Sequence, residues 1–266
     1  MRTALFWIGL LGAVLGTIGT ALSFGSAAVS FADAYHVVAY RVLDGFGAAS
    51  SLSSPPPIAD RVVWHLRLPR VLLALVVGGG LSVIGVAMQA LVRNPLAEPY
   101  ILGISSGASA GASLFYLGFL PPLLGQALSM PLAAFLGGLL SITIVYLVAY
   151  TGTRLSVARL LLAGVAMSAL MASITSFITF SSPDPGKLRA VLFWLLGSLS
   201  GTQWTDLIWP FATTTAGTAL LFVLARPLDA MLIGEDSAYH LGIPIEALKR
   251  LLIGLAALVT GALVAV

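Results

Sequence analysis

Cysteine and charge are what this sequence most lacks. None of its 266 residues is cysteine, and Asp, Glu, Lys and Arg together make up only 9% of the chain. The absence of cysteine excludes disulfides, thiolate nucleophiles and thiolate metal ligands. The low charge excludes an ordinary soluble domain, in which about 25% of residues are charged. The net charge of +3 gives no reason to expect nucleic-acid binding. With 59% hydrophobic residues, the chain is typical of an all-α, polytopic membrane protein.

Charged side chains are also absent from the middle of every predicted membrane span. Seven apolar stretches are long enough to cross a bilayer, which takes about 20 helical residues. They are approximately 4–25, 71–91, 100–119, 131–150, 160–180, 204–225 and 249–266. The first is longer than the apolar core of a signal peptide, so we predict a true first helix. Because ion-coupled carriers commonly bury charged groups, the pattern disfavours a stand-alone secondary transporter, although sodium symport through carbonyls and hydroxyls stays open as an alternative.

Two further absences concern catalysis. No Gly-x-x-x-x-Gly-Lys-[Ser/Thr] loop occurs, so if ATP drives this protein a separate subunit must hydrolyse it. Gly103–Gly107 matches the Gly-x-Ser-x-Gly pattern of serine hydrolases, but the three histidines lie outside the spans and are too scattered for a metal site. Gly103, Gly107 and Gly111 recur every four residues, which favours close packing of two helices. An intramembrane serine hydrolase is therefore only a minor alternative, and we predict no enzyme activity, no cofactor and no metal.

Two loops have structure of their own. The loop 26–66 is the longest; it contains a polar, proline-containing stretch, Ser51–Pro57, and a possible interfacial helix over 34–46. In the loop 181–203, Ser181–Gly186 is predicted to be a turn. Ala190–Ser200 is apolar but too short to span, so we predict a half-buried helix there.

Five segments carry a specific resemblance. They are Leu66–Arg70 (Leu-Arg-Leu-Pro-Arg), Gln89–Pro99 with its Asn-Pro-Leu-Ala turn, Gly103–Ala108, Arg154–Arg159 (Arg-Leu-Ser-Val-Ala-Arg), and Asp229–Pro244. At these residues the chain resembles the FecCD/BtuC-like permeases of bacterial ABC importers for iron chelates, haem and vitamin B12. The resemblance implies a BtuC-like type II importer bundle, with 1–266 as a single transmembrane permease domain and 226–248 as its cytoplasmic coupling region.

The resemblance also assigns roles to residues. It implies that Arg67 and Arg70 bind carboxylates of a periplasmic binding protein; snorkelling of both side chains to the membrane interface is the alternative. It also implies that a coupling helix contacts the ATPase through Gly234, Glu235, Ala238, Leu241 and Gly242. It places the cytoplasmic gate at Ser156, Val157 and Ala158. Since Val157 and Ala158 are apolar, closure by dewetting is an alternative to a polar gate. Gly164, Ser168, Met171, Thr175 and Thr179 share one helical face, which could pack helices, line the pathway as the family's fifth helix does, or both.

The implied assembly is a homodimer in the membrane lipid, with two copies of an ABC ATPase and one periplasmic binding protein. It implies the bacterial inner membrane with the N-terminus in the cytoplasm. Counting charges does not decide this orientation, since seven basic residues would be inside and six outside. Family members have about ten membrane helices, so this chain is expected to contain about seven of ten, to lack the last three, and not to transport in this form. Its cargo is expected to be a siderophore, haem or cobalamin.

Overall fold

The computed structural model describes residues 2–49, 52–152 and 154–266, and most of these residues are helical. Ser51, the first residue of the predicted polar stretch, lies outside these ranges. The helices are α1 (Arg2–Ser23), α2 (Phe31–Gly45), α3 (Pro57–Val62), α4 (Leu68–Val92), α5 (Ile104–Tyr116), α6 (Pro122–Ala127), α7 (Met130–Ala149), α8 (Val157–Phe180), α9 (Pro185–Leu195), α10 (Ile208–Val223), α11 (Ala225–Ile233), α12 (Glu235–His240) and α13 (Ile245–Val264). Within the described ranges, the only β-type pairing is the isolated bridge between Tyr150 and Leu155. The prediction of an all-α protein is confirmed.

Six helical stretches of the described residues are long and apolar enough to cross a membrane. They correspond to six of the seven predicted spans. The exception is 100–119, where α5 has only 13 residues and is therefore about 20 Å long, against about 30 Å of hydrocarbon. Gly103, at a φ of 76°, separates α5 from the 3-10 turn Pro99–Leu102. Leu102, Gly103 and Ile104 are buried, so this irregular backbone is enclosed by protein instead of lipid.

The chain divides into two compact units, and the boundary between them falls inside α4. The first unit comprises the chain up to Leu75 together with Leu199–Ile208. Its core is formed by apolar side chains of α1, α2 and the helical stretch that follows them. The buried members are Leu22, Val29, Ala34, Val37, Ala59, Val63 and Leu68.

The predicted loop 26–66 is largely helical. The helix α2 confirms the helix expected near 34–46, and its Ser30 cap accepts a hydrogen bond from the amide of Asp33. From Pro57 the chain is helical without a break to Val92, because the π-turn Val63–Arg67 joins α3 to α4. Proline at the first helical position suits the start of α3. The sequence prediction began this span only at residue 71, since the polar residues before it suggested a loop.

The second unit comprises Val76–Ser198 and Trp209–Val266. Its tightest contacts join α5 to α7 through glycine. A Cβ atom on Gly107 would lie 2.5 Å from the carbonyl oxygen of Gly137, and one on Gly111 would lie 2.3 Å from that of Ala133. These distances exclude any side chain, and they confirm that the repeated glycines of α5 bring a second helix close.

In the segment 181–200, the structure corrects the predicted bounds of the short helix. The structure starts α9 at Pro185 and ends it at Leu195, whereas the sequence prediction placed the helix at 190–200. Asp184 caps α9, because its Oδ1 accepts hydrogen bonds from the amides of Gly186 and Lys187, and Pro185 takes the first helical position. The Asp-Pro pair was interpreted as a turn, but it is also the signature of a helix start.

Candidate functional site

Arg67, predicted to dock a binding protein, is buried inside the first unit with only 8% of its surface exposed. Its guanidinium donates hydrogen bonds to the carbonyl oxygens of Leu22 at 2.7 Å, Ser23 at 2.9 Å and Ala27 at 2.5 Å. Gly25 lies against the same group, and a Cβ atom there would come within 2.7 Å of an Arg67 nitrogen. Arg67 therefore fastens the connection between α1 and α2 onto the π-turn.

Arg70, three residues further on, is exposed. Its Nε donates one hydrogen bond, 3.2 Å long, to the carbonyl oxygen of Leu199, and the structure describes no carboxylate partner for it. The other donors of its guanidinium fork can reach a partner, because the side chain lies at the surface. The geometry thus separates the two arginines, and only Arg70 is placed where a docking protein could meet it.

Another cation of the first unit, Arg41, forms an ion pair that the sequence did not predict. Arg41 of α2 makes two hydrogen bonds to Asp60 of α3, from Nε at 2.8 Å and from the terminal nitrogen at 2.5 Å. Hydrogen bonding to Asp60 raises the pKa of Arg41 above its usual value. Trp64 lies 5.9 Å from the same guanidinium and 5.0 Å from Trp204 between ring centroids. Nineteen residues separate the ion pair, so no local motif reveals it.

The predicted coupling segment is a short helix between two glycines, as expected. Gly234, at a φ of 151°, precedes α12, and Gly242, at a φ of 79°, follows it. L-residues rarely adopt either conformation, so glycine is favoured at both ends. Of the five predicted residues, Leu241 and Gly242 are exposed, Ala238 is fully buried, and Gly234 and Glu235 are half-buried. Tyr239 and Leu241 expose 72% and 70% of their surfaces, which makes the outer side of α12 partly apolar.

Glu235, the first residue of α12, belongs to a group of charged side chains that surrounds Lys249. We call this group, together with the main chain that it binds, the Lys249 cluster; it consists of Arg93, Glu235, Glu246, Lys249 and the main chain of Leu155. Lys249 is only 2% exposed. Its Nζ lies 2.7 Å from Glu235, 3.6 Å from Glu246 and 3.3 Å from the carbonyl oxygen of Leu155. Arg93 reaches the other oxygen of Glu235 at 3.7 Å. A buried ammonium is tolerated only with such partners.

The predicted gate segment, Ser156–Ala158, directly follows Leu155, the residue whose main chain this cluster holds. Ser156 caps α8, because its hydroxyl accepts a 3.4 Å hydrogen bond from the amide of Arg159. Val157 is half-buried, and Ala158 is exposed. Just before them, the amide of Leu155 donates a 2.8 Å hydrogen bond to Glu246. Both polar groups of the Leu155 main chain are therefore bound by side chains of α13.

The predicted pathway face of α8 is turned inward in this structure. Gly164 is buried, and a Cβ atom there would lie 2.1 Å from the carbonyl oxygen of Ile101. Ser168 and Met171 are half-buried, Thr175 is buried, and the Thr175 and Thr179 hydroxyls donate to carbonyls of their own helix. Gly164 therefore packs against the 3-10 turn Pro99–Leu102. The exposed side of α8 carries other small residues, namely Ala166, Ala169, Ala172, Ser173 and Ser176.

The family model that matches this sequence is that of the FecCD transport family, and the match covers residues 11–266. The chain belongs to the FecCD transport family.

Two curated proteins of this kind are similar over most of the chain. The cobalamin import system permease protein BtuC of Halobacterium salinarum is 36% identical over 216 residues, which make up 79% of this chain and 55% of that protein. The hemin transport system permease protein HmuU of Yersinia pestis is 40% identical over 210 residues, 77% of this chain and 62% of that protein. The chain thus spans 55% and 62% of the lengths of these two relatives.

A solved structure supports the same fold. It is the structure of an ABC transporter assigned to the metal-chelate type, in an inward-facing conformation. The alignment covers 100% of this chain and 76% of the chain in that structure, with a TM-score of 0.78 and 27% identity. The helical architecture of this FecCD chain is therefore one that a membrane transporter adopts.

The Gly-x-Ser-x-Gly match acquires a structural explanation in this FecCD chain. The hydroxyl of Ser141 on α7 donates a 2.8 Å hydrogen bond to the carbonyl oxygen of Gly103, and Gly107 packs against Gly137. Both glycines of the motif thus serve helix packing. Within the described ranges, no three His, Asp or Glu side chains lie close enough to hold a metal ion.

Proposed function

We propose that this chain is the membrane-spanning permease subunit of a binding-protein-dependent ABC importer. The observation that carries the proposal is the α12 segment, a short helix between two conformationally special glycines whose outer side exposes Tyr239 and Leu241. Exposed aromatic and aliphatic side chains beside charged Asp236 suit a protein contact. Since the sequence has no phosphate loop, we assign ATP hydrolysis to a separate ABC ATPase subunit, and we propose this surface as its contact.

The assembly we propose is a homodimer with two ATPase subunits and one substrate-binding protein. It lies in the inner (plasma) membrane of a bacterium with its N-terminus in the cytoplasm. Residues 226–248 then face the ATPase. The six spanning stretches and the family membership support a multi-pass subunit of this kind.

For the binding protein, we propose that Arg70 meets its carboxylates, while Arg67 holds the surface that presents Arg70. The exposure of Arg70 and the burial of Arg67 support this division of the predicted pair. Ion pairs at such a rim add to the rate and orientation of docking more than to affinity.

We propose that the pathway is closed towards the cytoplasm at Ser156, Val157 and Ala158. The half-buried Val157 and exposed Ala158 favour closure by apolar contact. Gly164, Ser168, Met171, Thr175 and Thr179 reach the pathway only if α8 turns during transport, because that face is packed inward here. Alternating access through such a helix movement is one of the known routes of switching.

The cargo we propose is a metal chelate or a corrinoid, namely a siderophore complex, haem or cobalamin. The names of the two relatives, cobalamin import and hemin transport, support this class. We assign its recognition to the binding protein, since the predicted pathway residues offer hydroxyls and a thioether and no imidazole or phenol for haem iron.

Co-purification tests whether the exposed side of α12 binds an ATPase. The chain is co-expressed with a candidate ABC ATPase from the same genome and extracted in mild detergent, and the ATPase retained per chain is measured. We expect retention by the wild-type chain and a loss of about ten-fold or more in Leu241→Glu, which places a charge in an apolar contact. Phe46→Glu, at an apolar position in the first unit that is also more than two-thirds exposed, serves as the matched control. No retention by the wild-type chain, or equal retention by Leu241→Glu, would contradict the proposal.

A further inference from the structure

The Lys249 cluster joins four segments, of which only α12 and the start of α13 are close in the sequence. Glu235 is the first residue of α12, Glu246 and Lys249 lie in the first turns of α13, and Arg93 follows the end of α4. Leu155 belongs to the connection between α7 and α8. All five residues lie in the second unit, so their contacts are internal to one compact body.

Lys249 makes two hydrogen bonds, to Glu235 and to the Leu155 carbonyl group, and one longer ionic contact, to Glu246. An ammonium has three hydrogens, and three oxygens surround Nζ: those of Glu235, Glu246 and the Leu155 carbonyl. Because the side chain is only 3% exposed, water cannot replace any of these partners without a rearrangement. A movement of Glu235 must therefore either carry Lys249 with it or leave a buried charge incompletely paired, which is costly.

The other end of the cluster is the main chain just before α8. Glu246 binds the amide of Leu155, and Lys249 binds its carbonyl group. The amide of Ser156, the next residue, donates a 3.3 Å hydrogen bond to Ala149, and the Leu155 side chain is buried. The position of residue 155 fixes where the cap of α8 lies, since Ser156 follows directly.

Arg93 strengthens the link at Glu235. It is the only non-glycine residue with a positive φ among those described, at 55°, and it follows the last residue of α4. The amide of Asn94 closes the helix end by donating to the carbonyl oxygen of Gln89 at 3.2 Å. Residues other than glycine rarely adopt this conformation, and here it brings a second cation to Glu235.

We propose that the Lys249 cluster transmits a displacement of α12 to the N-terminal end of α8. This inference rests on the proposed function, in which an ATPase moves α12. Lys249 is the positioning residue of the link: through Glu235 it follows α12, and through Leu155 it moves the segment that contains Val157 and Ala158. The ATPase thereby acts on the gate without touching it.

A single cysteine tests the link, because the chain has none of its own. Ala158→Cys, at an exposed position, is labelled with a membrane-impermeant maleimide in inside-out vesicles that contain the ATPase, with and without ATP and vanadate. The readout is the ratio of the two labelling rates, which a purely structural role of the cluster would leave unchanged. Retained ATPase is measured in the same vesicles.

We expect the labelling ratio to depart from one in the parent chain and to lose at least half of that departure in Glu235→Gln, which keeps size and removes charge. Lys249→Met should abolish the response, and Lys249→Arg should restore part of it. Glu98→Gln is the matched control, because Glu98 is an exposed carboxylate outside the cluster. If Lys249→Met does not reach the membrane, Glu235→Gln decides the test.

The outcomes separate the two proposals. Retained ATPase with an unchanged labelling ratio in Glu235→Gln and Lys249→Met would overturn the link while leaving the proposed function in place. Loss of the response together with retained ATPase supports the link. An ATPase that fails to bind even the parent chain would overturn the proposed function, and the transmission proposal with it.

Discussion

Arg67 in the first unit and Lys249 in the second are both buried cations, but their partners differ. Arg67 binds three neutral carbonyl groups within one short stretch of chain, residues 22–27. Lys249 binds two carboxylates and one carbonyl group from three separate segments. Arg67 thus stabilises one local connection, whereas Lys249 ties distant parts of its unit together. A buried charge can serve as a fixed anchor or as a junction, and its partners decide which.

The largest loss of stability is expected when Lys249 is replaced. Lys249→Met leaves Glu235 and Glu246 without their shared cation. Removing one partner of a buried ion pair costs about 3–5 kcal/mol, and since these two carboxylates are about one-third exposed we expect about 2–3 kcal/mol. Thermal unfolding in detergent measures the loss. The neighbouring, exposed Arg250→Met is the matched control and should change stability by less than about 0.5 kcal/mol.

A triple variant sharpens this result. Adding Glu235→Gln and Glu246→Gln to Lys249→Met removes the uncompensated charges and should recover more than half of the lost stability. If the triple variant is no more stable than Lys249→Met alone, the loss came from packing of the lysine stem and not from charge.

Removing the anchor should have a smaller and more local effect. Arg67→Met leaves the carbonyl groups of Leu22, Ser23 and Ala27 without this donor. We expect about 1–2 kcal/mol of destabilisation, since an unpaired buried acceptor costs about 1–3 kcal/mol and a surface connection can admit water. Hydrogen exchange should rise at residues 22–30 and stay unchanged at 150–160. Arg70→Met, three residues away and exposed, is the control; exchange that rises equally in both regions would contradict the comparison.

The smallest loss of stability is expected for the ion pair between Arg41 and Asp60, whose side chains are partly exposed. Arg41 and Asp60 leave 33% and 19% of their side chains exposed, so we expect Arg41→Met to cost about 0.5–1 kcal/mol. The difference from the wild-type chain should shrink between about 0.02 and 1 M salt, because the Debye length falls to about 3 Å. A difference that does not depend on salt would point to the contact between Arg41 and Trp64 instead.

The sequence predicted the elements better than the contacts. The spans 131–150 and 160–180 coincide with α7 and α8 within three residues, and the short helix near Glu235 is present as α12. Apolar length and bounding glycines are local signals, so one sequence suffices to find them. The start of α9 was missed because Asp184-Pro185 is compatible with both a turn and a helix cap. The hydrogen bonds that Asp184 accepts from two amides of α9 identify it as a helix cap.

The candidate site shows the same limit at the level of side chains. Residue types and the family resemblance identified Arg67 and Arg70 equally, since both are arginines at one membrane end. Their difference arises because Arg67 lies in the π-turn and meets the carbonyls that follow α1. The Lys249 cluster could not be predicted, because 94 residues separate Lys249 from Leu155 and no local pattern links them.

The sequence by itself determined that this protein is helical, lies in a membrane, and places a short glycine-bounded helix near residue 235, because hydrocarbon thickness and backbone sterics act on local composition. Only the tertiary structure decided which apolar helices meet protein. In α13, 61% of the most apolar window is buried, whereas in α1 only 6% is buried, although both have the length and composition of a membrane span. Lipid and protein interior are both apolar solvents, so hydropathy cannot distinguish them. That distinction, like the burial of Arg67 and Lys249, depends on which segments the fold brings together.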